Sequence, residues 1–400
     1  MSEPLRRTVP LQPESSAPPA AEQRWSWWPL LPLYPYGRRR TLVRQLIPGQ
    51  VWGFDQMQGL WYVAVPIRMT VVRLNEGLLL YAPVAPTAEV LQALRELEES
   101  HGPVRTIVLP TTSGLEHKLP VPAMARAFPQ ADLWVSPRQW SFPVPLPLPW
   151  LGFPSGRTRV LFQDGLPHAD ELAWCPLGPL DLGLGTFMEV ACLHRESGSL
   201  LITDALVAIA LEPPEVFDLD PTPLLFHGRD RAAEGLQDSP ERRRRGWRRL
   251  VLFASFLRPD HLDIAFVDAL RGSLPPGCRG PRCHFGFYPF RWRQGWEREA
   301  EALLSRDAAK PRVAPVLERL VFPRFRDELL GWIRHLADLG DVRWLVPAHY
   351  SAPVPITPEG LRTLADELHS RPWAPSEGSW STLAGIDRRL QAWGVVPRQA

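Results

Sequence analysis

The sequence predicts a mixed α/β protein in which two β-sheets pack face to face and helices cover both outer faces. This is an αββα sandwich, here with a helical insertion. Three observations predict it: β-type runs begin after Leu46, strand–helix units follow, and strands return before a final helix–strand–helix unit. Segments in this mixed order fit two stacked sheets with outer helices.

The first half of the domain begins with β-type runs at 61–65, 69–74 and 78–82, which predict an antiparallel hairpin system. Thr87 is placed to cap a helix whose apolar residues recur at helical spacing. A run of β-formers at 106–109 ends at Pro110 and a polar loop. A short helix at 122–128 and a strand at 133–135 complete this part.

The second half follows a loop rich in Pro and Trp at 137–154. Strands are predicted at 159–162, 190–194 and 200–203. A basic, mainly helical insertion at 207–323 comes next. A helix with Leu329, Trp332, Ile333 and Leu336 on one face then leads into a strand at 342–346, and a last helix covers 358–369.

The amino-acid composition indicates a globular domain with a Pro-rich segment before it. Hydrophobic residues make up 45% and charged residues 22% of the 400 residues, as in a soluble globular chain. The 46 Pro and 17 Trp predict long, structured loops. We expect a Pro-rich N-terminal arm at 1–45, disordered at its start, a domain at 46–370, and a tail at 371–400.

Charge and apolar patterning limit the partners. The net charge of +2 is too small to require nucleic acid, so the basic run at 241–249 is interpreted as a solvated helix face. No stretch approaches the length of a membrane span and no signal core follows the first residues, which predicts a cytoplasmic protein. Residues 26–40 combine aromatics with arginines. They are either an ordered surface arm or a peripheral membrane contact.

Three strand ends carry side chains that bind metals. Glu116 and His117 lie in the loop after the strand at 106–109, Asp204 follows the strand at 200–203, and His349 follows the strand at 342–346. Each alone is weak evidence, since a single His at a strand end is usually structural. Cys278, Cys283 and His284 provide too few ligands for a structural zinc.

The order of these residues resembles the metallo-β-lactamase superfamily. The segment IVLPTTSGLEHK at 107–118 resembles the His-x-His-x-Asp-His loop of that superfamily. The segment GSLLITDAL at 198–206 resembles the strand before its bridging Asp, and WLVPAHYSAP at 344–353 resembles the segment that carries its last His. The texts WYVAVPIRMTVVRL, APVAPTAEV and RWLVPAHYSAP also resemble the domain of unknown function 4336 family. The resemblance implies a metallo-β-lactamase-like sandwich over 46–370.

The same resemblance implies a reduced metal site. Thr112 and Gly114 occupy the first two His positions, and no His occupies the middle one, to which Glu189 is nearest. What remains is Glu116, His117, Asp204 and His349, a set suited to one Zn, Fe or Mn ion. The alternative is a polar cleft without any metal.

Two functions therefore remain open, and the sequence alone does not decide whether the protein is an enzyme. The first is a mononuclear metal-dependent hydrolase of an ester, thioester or phosphoester, in which Asp204 orients the attacking water. The second is a catalytically inactive member of the fold that binds a small ligand or a protein. The sequence does not identify the substrate.

Overall fold

A computed structural model describes residues 33–34, 39–60, 63–141, 144–231, 234–271, 287–304, 310–373 and 375–399. The strands, in chain order, are β1 (Leu33–Tyr34), β2 (Leu42–Ile47), β3 (Val51–Leu60), β4 (Val63–Leu74), β5 (Gly77–Tyr81), β6 (Val104–Leu109), β7 (Asp132–Val135), β8 (Thr158–Val160), β9 (Leu172–Asp181), β10 (Thr186–His194), β11 (Ser199–Ile202), β12 (Leu206–Val207), β13 (Leu262–Ile264), β14 (Phe290–Trp292), β15 (Arg312–Val313), β16 (Trp344–Pro347) and β17 (Val354–Pro355).

The helices are α1 (Ala88–His101), α2 (Leu115–Lys118), α3 (Val121–Ala127), α4 (Thr222–His227), α5 (Pro240–Phe256), α6 (Phe266–Arg271), α7 (Trp296–Leu303), α8 (Pro315–Leu320), α9 (Arg326–Asp338), α10 (Pro358–Ser370) and α11 (Ser381–Ala392). Within the described ranges, none of them is both long and apolar enough to cross a bilayer.

Two large sheets organise these strands. The first has the order β1-β3-β4-β5-β6-β7-β8, with β2 paired to β3; its pairs are antiparallel as far as β5 and parallel from β5 to β8. The second has the order β17-β16-β11-β10-β9, and β11 and β16 form its parallel pair. Two short ribbons, β12 with β15 and β13 with β14, complete the pairing.

The sheets face each other across a shared core. Val72 and Leu79 of the first sheet belong to the same buried cluster as Val190 and Leu201 of the second. The other face of the first sheet packs with α1 and α3, and the other face of the second packs with α9 and α10. The predicted αββα layer order is therefore confirmed.

Several predicted elements are confirmed in place. Strands β6, β7 and β11 coincide closely with the predicted runs, whereas β10 begins at Thr186, before the start predicted at residue 190. The Thr87 side chain caps α1 by accepting a hydrogen bond from the Val90 N–H. Residues 63–65 and 69–74, which were predicted as parts of two separate runs, belong to one strand, β4; residues 61 and 62 lie outside the described ranges.

The segment at 207–323 forms a lobe whose buried cluster also includes Met57 and Ala64 of the first sheet. Helix α5 packs on α4 and α7 around Trp247, which is fully buried and donates its indole N–H to Ala210 O at 2.9 Å. The arginines of α5 form ion pairs with acidic neighbours, as Arg243 does with Asp218 and Asp238. The Cys278, Cys283 and His284 group lies outside the described residues, as does most of 26–40.

The segment at 371–400 contains α11, which packs against α8. Asp387 of α11 is 1% exposed, and its carboxylate pairs with Arg319 of α8 and with Arg324. At the other end of the chain, β2 begins at Leu42, so the first sheet extends into the segment predicted as an N-terminal arm.

A buried ion pair joins the two sheets beside the turn that carries His349. Arg68 of β4 is 2% exposed and pairs with the buried Asp55 of β3 at 2.6 Å. Its two terminal nitrogens donate to Pro347 O at 2.7 Å and Tyr350 O at 2.9 Å. Tyr350 has a φ of +61°, a conformation that costs a non-glycine residue energy and needs such support.

We expect Asp55→Ala to lower the free energy of unfolding by about 3–5 kcal/mol, because it leaves the Arg68 charge buried without its partner. Glu196→Ala provides the matched control. It removes an exposed ion pair with Arg73 and should cost at most about 1 kcal/mol. Urea unfolding of both variants measures the difference, and an equal loss in the two would contradict a special role for the buried pair.

Candidate metal centre

The first part of the candidate centre lies in the loop that follows β6. This β6–α2 loop, residues 110–118, includes the one-turn helix α2 and therefore Glu116 and His117. Thr111 forms a β-bridge with Glu189 of β10, and Thr112 N–H donates to Met188 O at 3.0 Å. These contacts attach the loop from the first sheet to the second sheet.

The second part comes from the second sheet. Asp204 follows β11 and His349 follows β16, and these strands are parallel neighbours, so their carboxyl ends lie at one sheet edge. His349 also forms a β-bridge with Ile67 of β4 in the first sheet. The four predicted residues therefore meet at the mouth between the two sheets.

Three of the four residues have mutually close ligand atoms. One ligand atom from each of Glu116, His117 and His349 lies within 4.8 Å of the others. Glu116 Oε1 is 3.4 Å from His349 Nε2, and the His349 side chain is 12% exposed. Ligand atoms that lie about 2 Å from one ion are at most about 4 Å apart, so binding an ion would draw the three residues slightly closer together.

Backbone carbonyl groups orient both imidazole rings. His117 Nδ1 donates to Pro83 O and His349 Nδ1 donates to Pro66 O, each at 3.1 Å. Because a carbonyl oxygen can only accept, the proton of each neutral ring lies on Nδ1 and Nε2 carries the lone pair. Such an outer hydrogen bond is typical of metal-binding histidines.

One ring nitrogen of His117 has no hydrogen-bond partner among the described residues. The residue is fully buried, and this nitrogen is its Nε2. A buried nitrogen without a partner is costly in a folded protein, so it requires an explanation. An ion held together with Glu116 and His349 would satisfy it, and the donor set of two imidazoles and one carboxylate fits zinc, iron or manganese.

Asp204 contacts this trio from one side but is not a member of it. Its Oδ1 is 3.1 Å from His349 Nε2. Its Oδ2 accepts hydrogen bonds from the Thr111 hydroxyl at 3.2 Å and from the Ser113 hydroxyl at 3.1 Å. The carboxylate is therefore held in one orientation at the edge of the candidate centre.

Glu189 supports the turn that carries Asp204. It is fully buried, and its carboxylate accepts the backbone N–H groups of Thr203, Asp204 and Ala205 at 2.6, 3.0 and 2.8 Å. Burial and repulsion from Asp204 raise the pKa of Glu189 to about 7, against these hydrogen bonds. Glu189 therefore fixes the turn from behind and does not take the place of the absent histidine as a ligand.

The charges at the mouth are mutually dependent. Burial alone would lower the pKa of His349, but the hydrogen bonds and charges of Asp204 and Glu116 outweigh it and raise that pKa to about 10. Burial likewise opposes ionisation of Asp204 and Glu116, yet the contact with His349 leaves both pKa values below their ordinary range. Burial lowers the pKa of His117. Without an ion, the mouth thus holds one imidazolium between two carboxylates.

The positions at which histidines are absent have structural roles. The Thr112 hydroxyl donates to Thr186 O at 2.7 Å and accepts from Met188 N–H at 2.9 Å, so it points into the β10 contact. A Cβ at Gly114 would lie 3.3 Å from Glu116 Oε1 and 3.4 Å from the His117 ring. Any side chain at Gly114 would therefore crowd the two ligands beside it.

Sequence reasoning missed the residues that support the ligands. The carbonyl groups of Pro66 and Pro83 act through the backbone and leave no side-chain pattern. Arg68 did leave a sequence pattern, because a charged residue within the β-forming sequence of β4 indicates a buried partner. Lys118, directly after His117, is also buried, which its charge did not suggest.

The fold and the site define an αββα protein with a candidate centre for one ion at the mouth between its sheets. The chain belongs to the family described as "Domain of unknown function (DUF4336)", whose model matches residues 48–366. No curated protein matches the chain.

Solved metallo-β-lactamase structures are similar to it at a low level. One from Erythrobacter litoralis is 12% identical, covers 82% of this chain and 92% of its own, and has a TM-score of 0.34. One from Hirschia baltica is 7% identical, covers 82% and 97%, and has a TM-score of 0.37.

Replacing Glu189 tests its role behind the Asp204 turn. We expect Glu189→Ala to lower the free energy of unfolding by about 3 kcal/mol or more, since three N–H groups lose their buried acceptor. Glu171→Ala is the control, because Glu171 accepts a single exposed N–H, that of Asn75. Chemical denaturation checks this, and a stability of Glu189→Ala equal to that of the control would show that the turn does not need the carboxylate.

Proposed function

We propose that the protein is a mononuclear metal-dependent hydrolase of an ester, thioester or phosphoester. One observation carries the proposal: the ligand atoms of Glu116, His117 and His349 converge within 4.8 Å, and the buried Nε2 of His117 has no partner among the described residues. Structural zinc sites are usually closed by four protein ligands, whereas catalytic sites commonly have three and one open position. A three-residue set therefore favours a catalytic site.

Glu116, His117 and His349 would hold the ion. When bound, such an ion supplies Lewis acidity, which lowers the pKa of water and polarises a carbonyl or phosphoryl oxygen. The carbonyl groups of Pro66 and Pro83 hold both rings with Nε2 facing the centre, so little rearrangement is needed for binding.

Asp204 would orient the attacking water. Its Oδ1 faces the centre beside His349, and its Oδ2 is held by the Thr111 and Ser113 hydroxyl groups. The lowered pKa keeps this carboxylate ionised near neutral pH, so it accepts hydrogen bonds well. A low pKa also makes it a weak base, so positioning is its proposed role.

A second candidate is a binding protein without catalysis. It is favoured by one observation: His349 Nε2 already lies 3.1 Å from Asp204 and 3.4 Å from Glu116, so three of the four polar groups satisfy each other without an ion. In that case the mouth would be a closed polar cluster, and metal analysis separates the two candidates.

We expect the purified protein to contain close to one equivalent of divalent metal, and His117→Ala and His349→Ala to lose most of it. The readouts are elemental analysis and hydrolysis of p-nitrophenyl esters and phosphoesters. Asp204→Asn should retain metal better than either His variant but lose most hydrolysis. His335→Ala, an exposed histidine on α9, is the control. A wild-type protein that takes up no metal in the presence of excess Zn²⁺, Fe²⁺ and Mn²⁺ would eliminate the hydrolase.

Metal affinity should rise with pH. The pKa of His349 is about 10 without an ion, so near pH 7 its ring carries the proton that ligation through Nε2 must displace. Below that pKa, affinity should increase about tenfold for each pH unit, with about one proton released per ion. Calorimetry in two buffers of different ionisation enthalpy counts the proton. A Zn²⁺ affinity that is constant between pH 6.5 and 8.5 would contradict this.

A further inference from the structure

A cavity of about 410 Å³ lies next to the candidate centre. Its walls are the β6–α2 loop, the segment at 138–141, the turn between β9 and β10, and the end of α8. A volume of this size is typical of pockets for small molecules. No residue of the candidate trio lines it, so it is a separate feature of the molecule.

The cavity is positively charged. Lys118 and Arg138 line it, and among the described residues of its walls no side chain is acidic. The ammonium group of Lys118 donates to Thr112 O at 2.8 Å and Gln139 O at 2.6 Å. Arg138 has no hydrogen bond or ion pair with any residue that the structure describes.

Arg138 is also held in an unusual conformation. Its φ is +58°, in the left-handed region that few non-glycine residues adopt. Its neighbour Gln139 is buried and donates to Thr111 O at 3.1 Å and to the Ser136 hydroxyl at 2.8 Å. The segment that presents Arg138 to the cavity is thereby fixed to the β6–α2 loop. Backbone strain of this kind is concentrated at ligand-binding sites.

Hydroxyl and amide groups, among them that of Ser113, form part of the remaining wall, and the rest of it is apolar. The apolar part is formed by the side chains of Leu115, Trp140, Leu182, Leu184, Phe187, Leu317 and Val321. Leu115, Trp140 and Leu184 are respectively 52%, 38% and 41% exposed, so this surface is open to a ligand. A ligand that fits this lining combines a carbon chain with an anionic group.

Ser113 connects the cavity to the candidate centre. It lines the cavity, and its hydroxyl donates to Asp204 Oδ2 at 3.1 Å. A molecule in the cavity that passes Ser113 therefore reaches Asp204, the carboxylate proposed to orient water.

We propose that this cavity binds a small amphipathic anion, an alkyl or acyl chain that carries a carboxylate or a phosphate, with Arg138 as the anion-binding residue. This proposal rests on the proposed function in one respect: the bond to be hydrolysed would lie beside Ser113, where the cavity meets the candidate centre. Binding of the anion itself requires no metal.

The test uses calorimetric binding of octanoate and octyl phosphate, below the concentrations at which they form micelles, with 1-octanol as the uncharged probe. Wild type should bind one equivalent of at least one anion. Arg138→Gln should weaken that binding about tenfold, the usual size of a charge-assisted hydrogen bond, and leave 1-octanol binding unchanged. Arg126→Gln is the matched control, since Arg126 is exposed on α3 and does not line the cavity.

A second variant places the opposite charge in the cavity. Leu184 is exposed, so Leu184→Glu should fold normally, and it should abolish binding of both anions by repulsion. Binding should persist in His349→Ala, which separates this proposal from the metal-dependent one. Equal affinity of wild type and Arg138→Gln for both anions, or no binding to wild type, would overturn the proposal. A preference for octanoate or octyl phosphate identifies the anionic group.

Discussion

The ion pair between Arg68 and Asp55 is the contact on which the geometry of the candidate centre depends. A buried guanidinium is costly unless its charge is paired. Arg68 meets that demand with Asp55 in its own sheet and with carbonyl groups on both sides of His349 in the other. The two hydrogen bonds to these carbonyl groups therefore require one relative position of the two sheets. That position brings the carbonyl of Pro66, two residues before Arg68, to the ring of His349.

The candidate centre is held in place from both sheets. Thr112 joins the β6–α2 loop to β10, and a Cβ at Gly114 would crowd Thr111, Glu116 and His117. Histidines at these two positions would therefore disturb contacts that hold the loop. Backbone carbonyl groups orient His117 and His349, and Glu189 holds the turn of Asp204.

The layer order and the four polar residues could be predicted from the sequence because both depend on strand ends and apolar periodicity. Strands β3 and β9 could not be predicted in this way. Strand β3 contains Asp55 and Gln56, whose burial is explained only by partners far along the chain. Strand β9 contains Pro176 and Pro179, residues that argue against a strand, but it lies at the edge of its sheet, where a missing N–H is tolerated. The separation of Asp204 from the trio likewise depends on side-chain packing that no spacing in the sequence reveals.

The buried carboxylate of Asp387 has a consequence for truncated forms of the protein. Because Arg319 and Arg324 both pair with it, the last helix completes the interior and is not an appendage. A nonsense mutation shortly after residue 370 would remove α11. It would strand two guanidinium groups away from water without a counterion. Such an allele should behave as a loss of the whole protein, whatever the state of the distant mouth between the sheets.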